Sequence, residues 1–370
     1  MTDGVTVENG VAYANHDSIE LVGDLYLPQA AKYLPKPAKG SPALVAVHGG
    51  GWVAGVRSAF QYWGPYLAAR GIAVFAISYR LATKSKTFPE AVQDVLAGVQ
   101  FVRGKAHAFG IDPARIGLLG ASAGAHLAAL AALSGKKFTG GYPQDPFAAA
   151  DTSVKALVGV YGVYDLYTMW CSLQVQDGRN SDNKVEKFIG APPMANRQLY
   201  FDASPISYAT YVNNPVGVLL ATGTEDDLVD RKTQTEPFQL ALKQAGFFVR
   251  PCIVPGAPHY WMNETIRSRS ASAFPVFWRR GSCAFSPNDC EQRSHPMAAY
   301  FFSNSSVPSF RTSGWIAAAT LAKSQGRNTC RSTRSSATSI VPLATCPSAR
   351  MRNCKRSPVQ ISSSTAKICP

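Results

Sequence analysis

The segment Gly120-Ala121-Ser122-Ala123-Gly124 stands between an apolar stretch, residues 116–119, and a stretch rich in alanine and leucine, residues 125–133. The first stretch predicts a buried strand, and the second predicts a helix. The small residues between them allow a tight strand-to-helix turn that pushes the Ser122 hydroxyl out of the sheet, beside a helix N-terminus that favours negative charge. This context predicts a nucleophile at Ser122, whereas the five-residue pattern alone also occurs by chance.

Strand-like and helix-like stretches alternate on both sides of this turn. Residues 5–27 alternate apolar and polar side chains, which predicts two antiparallel strands. Continuous apolar runs, typical of strands buried on both faces, then recur between stretches of helical period. These runs are residues 43–47, 72–77, 116–119, 154–160, 216–221 and 247–254. We therefore predict an α/β fold with a mostly parallel, doubly wound sheet through residue 266.

One connection in this pattern is unusually long. About fifty residues separate the strand that ends near Tyr161 from the strand that starts at Pro215, which exceeds the usual length of a crossover. We interpret residues 166–206 as an inserted lid over the site. The alternative is a surface excursion whose aromatic side chains pack a small core of their own. The aromatic residues in this region are Tyr164, Tyr167, Trp170, Tyr200 and Phe201.

The charge of the chain is divided unevenly. The net charge of +14 over 370 residues comes almost wholly from residues 267–370, which hold 15 Lys and Arg against 2 Asp and Glu, and 21 serines. Residues 1–266 hold 22 against 21 and predict a near-neutral catalytic domain with no nucleic-acid partner. The basic, Ser-rich tail is predicted to be disordered or the product of a frameshift, and a nucleic-acid or membrane-surface tail is the alternative.

Other features narrow the class of protein. No run of about 18 apolar residues predicts a membrane span, and the N-terminus lacks the pattern of a secretory signal, so we expect a cytoplasmic protein. The cysteine and histidine spacing does not indicate zinc, and we expect neither a metal nor a cofactor. The sequence leaves the oligomeric state open.

A glycine-rich segment, residues 48–52 (His-Gly-Gly-Gly-Trp), follows the apolar run 43–47 and is called the glycine loop below. Its N–H groups can bind a developing oxyanion together with the N–H of the residue after the nucleophile. We predict Gly50, Gly51 and Ala123 as the donors. The alternative is a turn that needs glycine only for its backbone angles. A phosphate loop is less consistent with the pattern, because no Lys-Ser/Thr pair follows the glycines.

A serine nucleophile needs a base, and the base needs a carboxylate that orients it. Asp226 belongs to the segment 223–229, which comes directly after the strand predicted at residues 216–221, at the carboxyl edge of the sheet where such folds place their sites. We predict Asp226 as the acid. Glu225, Asp227 and Asp230 compete with it, because each could equally be a solvated or helix-capping residue.

His259 is the candidate base. It lies in a loop just past the last predicted strand, and it is the only histidine between Asp226 and the tail. The other histidines of the body receive other interpretations. His16 and His107 are interpreted as surface residues, His48 as part of the glycine loop, and His126 as a helix residue one turn past the serine.

Together these segments resemble the α/β-hydrolase superfamily, specifically the bacterial esterase/lipase group related to hormone-sensitive lipase and to feruloyl-esterase-like carboxylesterases. The resemblance covers residues 5–266. It depends on the glycine loop, the turn at Ser122, the Asp226 and His259 segments, and residues 79–81, 88–95 and 111–117. It implies an α/β-hydrolase fold with Ser122, Asp226 and His259 as a catalytic triad. The family's closing helix should follow His259, where this sequence turns to the basic tail.

The resemblance implies acyl transfer from a small-molecule ester through an acyl-enzyme. Trp52, Trp261 and Tyr164 are candidate substrate contacts, which would favour short-chain or aryl esters. An amidase, an arylformamidase-like enzyme or a peptidase would use the same triad and is the first alternative. A non-catalytic binding protein built on the same fold is the second. Arg80 and Asp94 could pair beneath the glycine loop, or each could be solvated.

Overall fold

The predicted strands form one sheet in the computed structural model, which describes residues 4–29, 39–176 and 182–263. The described residues belong to one compact unit. The predicted tail, residues 267–370, and the domain boundary at residue 266 lie outside the described residues, so both stay predictions. Among the described residues, no helix combines the length and apolarity needed to cross a membrane.

The sheet has eight strands in the order β1-β2-β4-β3-β5-β6-β7-β8. β1 and β2 pair antiparallel, β2 pairs antiparallel with β4, and the remaining pairs are parallel, which confirms the mostly parallel sheet. The strands are β1 (Val5–His16), β2 (Ile19–Pro28), β3 (Ser41–Val47), β4 (Ala73–Ile77), β5 (Ile111–Ala121), β6 (Ala156–Val160), β7 (Gly217–Glu225) and β8 (Val249–Pro258).

Helices cover both faces of this sheet. The α-helices are α1 (Trp63–Ala68), α2 (Glu90–Gly104), α3 (Ala106–Phe109), α4 (Ala123–Leu133), α5 (Leu166–Gln176), α6 (Lys184–Ile189), α7 (Arg197–Asp202) and α8 (Thr235–Gln244). Successive side chains of a strand point to opposite faces, so Val45 packs with α2 and α4 whereas Leu44 packs on the face that α1 covers. Every residue of β3 is buried, as expected for a central parallel strand between two layers of helix.

The insertion at residues 166–206 forms α5, α6 and α7 and leads into a 3-10 helix at Pro205–Tyr208. It does not pack only on itself. Val185, Phe188 and Ile189 of α6 are buried in the main core, and the Phe188 carbonyl accepts hydrogen bonds from the N–H groups of Thr87 and Phe88 at 3.2 Å. The alternative of an excursion with its own small core therefore does not describe α6.

Candidate active site

Ser122 lies at the turn between β5 and α4, with φ 54° and ψ −123°. A positive φ is uncommon for a residue with a side chain and persists only where the surroundings hold it. Here the Ser122 N–H donates to the Val160 carbonyl at 2.9 Å. A Cβ at Gly124 would lie 2.1 Å from the Val47 oxygen, so the approach of α4 to the end of β3 requires glycine. The turn predicted from the sequence thus has the geometry of a nucleophile elbow.

The structure brings His259 and Asp226 to this serine. His259 Nε2 lies 3.1 Å from Ser122 Oγ, and His259 Nδ1 lies 2.8 Å from Asp226 Oδ2. Both partners of the second contact are nearly inaccessible, with side-chain exposures of 3% for His259 and 1% for Asp226. Asp226 Oδ1 also accepts the N–H groups of Leu228 and Val229 at 3.1 and 2.9 Å, which fixes the carboxylate against the backbone.

The three competing acids do not share the burial of the Asp226 carboxylate. The Asp230 carboxylate accepts the N–H groups of Lys232 and Thr233, as a residue that caps a turn does. Glu225 and Asp227 are exposed. Among these four acids, only Asp226 therefore combines burial with contact to the imidazole of His259.

Tyr161 is a part of the site that the sequence analysis did not single out. Its ring lies 4.6 Å from the ring of His259, centroid to centroid, and only 1% of Tyr161 is exposed. Burial, assisted by the negative charge of Asp226, raises the pKa of Tyr161, so its phenol stays neutral. The available signal was its position directly after β6, next to the elbow at the carboxyl edge of the sheet.

The glycine loop lies against the elbow. A Cβ at Gly49 would be 3.1 Å from the Ser122 Cβ, and Gly50 and Gly51 have positive φ angles of 123° and 60°. Among the described residues, no group accepts a hydrogen bond from the N–H of Gly50, Gly51 or Ala123. The assignment of Gly50, Gly51 and Ala123 as oxyanion donors stays a prediction, because the positive angles alone also explain the glycines.

His48 anchors the start of the glycine loop. Its ring stacks on Tyr79 at 4.4 Å, and the Tyr79 hydroxyl donates to the His48 carbonyl at 3.1 Å. Burial lowers the pKa of His48 to about 4, against a smaller opposing effect of the Gly49 carbonyl. His48 is therefore neutral near pH 7, and the loop carries no charge of its own beside Ser122.

A cavity of about 230 Å³ opens beside Ser122. Its walls are mostly apolar and come from the glycine loop, the segment that follows it and the residues around His259. The side chains that line it include Val56, Ala59, Phe60, Tyr161, Tyr260 and Met262. No described residue of the insertion lines this cavity. The interpretation of residues 166–206 as a lid stays a prediction.

The three predicted substrate contacts do not line the cavity. Trp52 stacks on Phe188 and donates from Nε1 to His126 at 3.1 Å, and only 2% of it is exposed. Tyr164 is buried and stacks on Phe238. Trp261 is also buried, and its ring packs edge-on against the ring of Tyr161. Large aromatic rings next to a site are more often core than recognition. These three residues are buried as core residues are, and their assignment as substrate contacts stays a prediction.

Comparison with known proteins agrees with this architecture. The BD-FAE family model matches residues 24–242, which is more than half of the chain. The esterase LipQ of Mycobacterium tuberculosis is 33% identical over 241 residues, 63% of this chain and 53% of LipQ. The probable carboxylic ester hydrolase LipM of the same organism is 34% identical over 195 residues, 51% of this chain and 42% of LipM. The chain thus spans about half the length of these relatives.

A solved structure shows the same fold. The thermophilic esterase Est2 of Thermogutta terrifontis aligns with a TM-score of 0.56 and 23% identity, over 76% of this chain and 94% of that protein. At this identity the likeness concerns the fold alone. The chain therefore has the α/β-hydrolase fold that its motifs predict.

Proposed function

The chain belongs to the BD-FAE family, and from this membership we propose that it is a serine carboxylic-ester hydrolase acting on short-chain or aryl esters. The observation that carries the proposal is the continuous contact from Ser122 Oγ to His259 Nε2 and from His259 Nδ1 to Asp226. A serine hydroxyl becomes a nucleophile when a neutral imidazole accepts its proton and a buried carboxylate orients that imidazole.

In the proposed reaction, the Asp226 carboxylate accepts a hydrogen bond from the Nδ1–H of His259, so the Nε2 lone pair is directed at Ser122. His259 takes the Oγ proton while Oγ bonds to the ester carbonyl carbon, and the N–H groups of Gly50, Gly51 and Ala123 bind the oxyanion that forms. When the C–O bond breaks, His259 gives this proton to the leaving alkoxide. Water then attacks the acyl-enzyme in the same way, releases the acid and restores Ser122.

The size of the cavity supports the proposed substrate class. At about 30 Å³ for each small group packed at liquid density, 230 Å³ holds roughly eight such groups. A short acyl chain or one aromatic ring fits this space, and the apolar wall of Phe60 and Met262 favours such a group over a charged one.

We also propose that residues 1–266 form the catalytic domain and that the insertion, residues 166–206, acts as its lid. The contact of Phe188 with Trp52 supports a coupling between the insertion and the glycine loop.

The test uses the full chain and p-nitrophenyl acetate, butyrate and octanoate, with p-nitroacetanilide as the amide arm. We expect turnover of the short esters, weaker turnover of the octanoate, and a loss of at least about 10³-fold in Ser122→Ala. A fluorophosphonate probe should label wild type at Ser122. Folded wild type that neither turns over an ester nor takes the probe would contradict the proposal, and faster cleavage of the anilide would favour an amidase.

A further inference from the structure

A cluster of buried charges lies at the end of β1, at a residue that the sequence analysis interprets as surface. His16 is completely buried, and both of its ring nitrogens contact carboxylates. Nδ1 lies 2.7 Å from Asp94 Oδ1, and Nε2 lies 2.7 Å from Asp145 Oδ2. The ring of Tyr142 stacks on the imidazole at 3.5 Å, with 9° between the planes. The interpretation of His16 as a surface residue is therefore corrected.

These contacts define the charge on His16. A carboxylate can only accept a hydrogen bond, so each ring nitrogen must carry a proton, which only the imidazolium form provides. Burial opposes this charge, but the hydrogen bonds to Asp94 and Asp145 outweigh it and raise the pKa of His16. The cluster thus holds an inaccessible cation between Asp94, which is also inaccessible, and Asp145, whose side chain is 10% exposed.

Asp94 joins His16 to a second cation, Arg80. The Asp94 carboxylate accepts the backbone N–H of Arg80 at 2.9 Å and its Nη2 at 2.6 Å. Arg80 also donates to Asp17 and to the Tyr142 hydroxyl, and its side chain is only 6% exposed. The pairing of Arg80 with Asp94, one of two alternatives left open by the sequence, is the arrangement found here.

Arg80 belongs to a support segment, residues 79–82, that holds both ends of the glycine loop. Tyr79 donates to the His48 carbonyl at 3.1 Å, and the Ala82 N–H donates to the Trp52 carbonyl at 2.9 Å. Arg80, which contacts Asp94, lies between Tyr79 and Ala82 in the sequence. The position of the glycine loop therefore depends on a segment that Asp94 anchors, and Asp94 is in turn bound by His16.

We propose that His16 is a positioning residue whose buried imidazolium, bridging Asp94 and Asp145, locks the support segment and thereby aligns the glycine loop with Ser122. The effect on turnover rests on the proposed esterase function, whereas the charge state of His16 does not. If His16 loses this proton, its neutral ring can donate to only one of the two carboxylates. The support segment is then held less firmly in place.

Other charged and titratable groups face this cluster from each neighbouring element. Tyr13 of β1 is buried, and burial with the charge of Asp94 raises its pKa, so it stays neutral. Within the described part of the chain, these groups are Tyr13 in β1, Asp17 in the turn after it, Arg80 after β4, Asp94 in α2, and Tyr142 and Asp145 in the segment after α4.

The sign of the pH dependence follows from the raised pKa of His16. The stabilisation is complete below the pKa of histidine in an unfolded chain, about 6.5, and is lost as pH rises through the higher folded value. Activity and Tm should therefore fall together at alkaline pH.

The first test measures the charge directly. In full-length protein labelled with ¹⁵N-histidine, NMR at pH 7 should show two protonated nitrogens for one buried histidine, and His16→Gln should remove that signal. A signal from His16 with one unprotonated nitrogen at pH 7 would overturn the proposal. This measurement does not use ester turnover, so its failure leaves the esterase proposal standing.

The second test measures positioning with pH profiles on p-nitrophenyl acetate. Asp145→Asn should fold and shift the alkaline limb of kcat and of Tm down by about one pH unit, with KM within twofold of wild type. His16→Gln should lower kcat by about tenfold, less than the 10²-fold or more that follows loss of an oxyanion donor. His107→Gln, at an exposed histidine, is the matched control and should leave both profiles unchanged.

If His16→Gln fails to fold, Asp145→Asn and the NMR signal of wild type still decide the question. An alkaline limb that stays in place in Asp145→Asn would overturn the proposal. Folded wild type without ester turnover would instead overturn the proposed function, while the NMR signal and the dependence of Tm on pH would still report on His16.

Discussion

Replacement of Asp226 by Asn tests the hydrogen bonds that run from Asp226 through His259 to Ser122. The Oδ1 atom accepts two backbone N–H groups, from Leu228 and Val229, and lies 3.0 Å from His259 Nδ1, whereas Oδ2 lies closer to that nitrogen, at 2.8 Å. An Asn side chain has one oxygen, and the two N–H donors require it at the Oδ1 position. Its NH₂ group then takes the Oδ2 position, the nearer of the two to His259 Nδ1.

The consequence is a change of tautomer. Because the Asn NH₂ donates, Nδ1 must accept, and the ring proton moves to Nε2, 3.1 Å from Ser122 Oγ. Nε2 can then no longer take the serine proton. The opposite orientation of the amide would direct NH₂ at two N–H groups and leave both unpaired, at about 1–3 kcal/mol each, so the amide is not expected to flip.

The expected loss is about 10⁴-fold in kcat/KM, the size known for the wrong tautomer in such a triad. This corresponds to about 5.4 kcal/mol, at 1.36 kcal/mol for each factor of ten. The assay is hydrolysis of p-nitrophenyl acetate at pH 7.5, with thermal unfolding to show that the variant is folded. Asp227→Asn is the matched control, because Asp227 is an exposed neighbour, and it should stay within twofold of wild type. Retention of more than a few per cent of activity by Asp226→Asn, with a large loss in Asp227→Asn, would refute the reasoning.

Two further substitutions address the cavity and the elbow. In Ala59→Leu, three added heavy atoms of about 30 Å³ each would fill roughly 40% of the 230 Å³ cavity, so butyrate hydrolysis should fall roughly tenfold relative to acetate. An unchanged ratio of the two kcat/KM values would contradict the location of the acyl group. Gly124→Ala places a Cβ 2.1 Å from the Val47 oxygen, which should destabilise the fold by about 2 kcal/mol and lower Tm by roughly 4–8 °C. Helix propensity alone predicts the opposite sign, so a raised Tm in calorimetry would show that the elbow is not tightly packed.

The strands were predictable because their signals are local. β3 and β4 are continuous apolar runs, whereas apolar and polar residues alternate in the antiparallel pair β1 and β2. In each strand, the pattern of apolar residues over a few positions therefore predicts which side chains are buried. The turn at Ser122 was predictable for the same reason, since small residues between a strand and a helix leave few other conformations. The boundaries were less accurate, and β5 and β7 extend beyond the predicted runs.

Neighbouring residues in the sequence could not show which of the adjacent acids contacts His259. The end of β7 and the segment after it offer Glu225, Asp226, Asp227 and Asp230 within six positions. The sequence favours Asp226 only through the order of motifs. The contact with His259 depends on the parallel pairing of β7 with β8, where Glu225 lies opposite Pro258. That register places the two loops side by side, so only the folded sheet determines which carboxylate meets the imidazole.

The fold class, the elbow at Ser122, the glycine loop and the order of serine, acid and histidine could be predicted from the sequence, because periodicity and turn chemistry depend on adjacent residues. The place of Trp52 in the core and the buried cation at His16 became evident only in the folded protein. The partners of His16 lie 78 and 129 positions away. A side chain's burial and charge depend on such distant partners, which no local pattern contains.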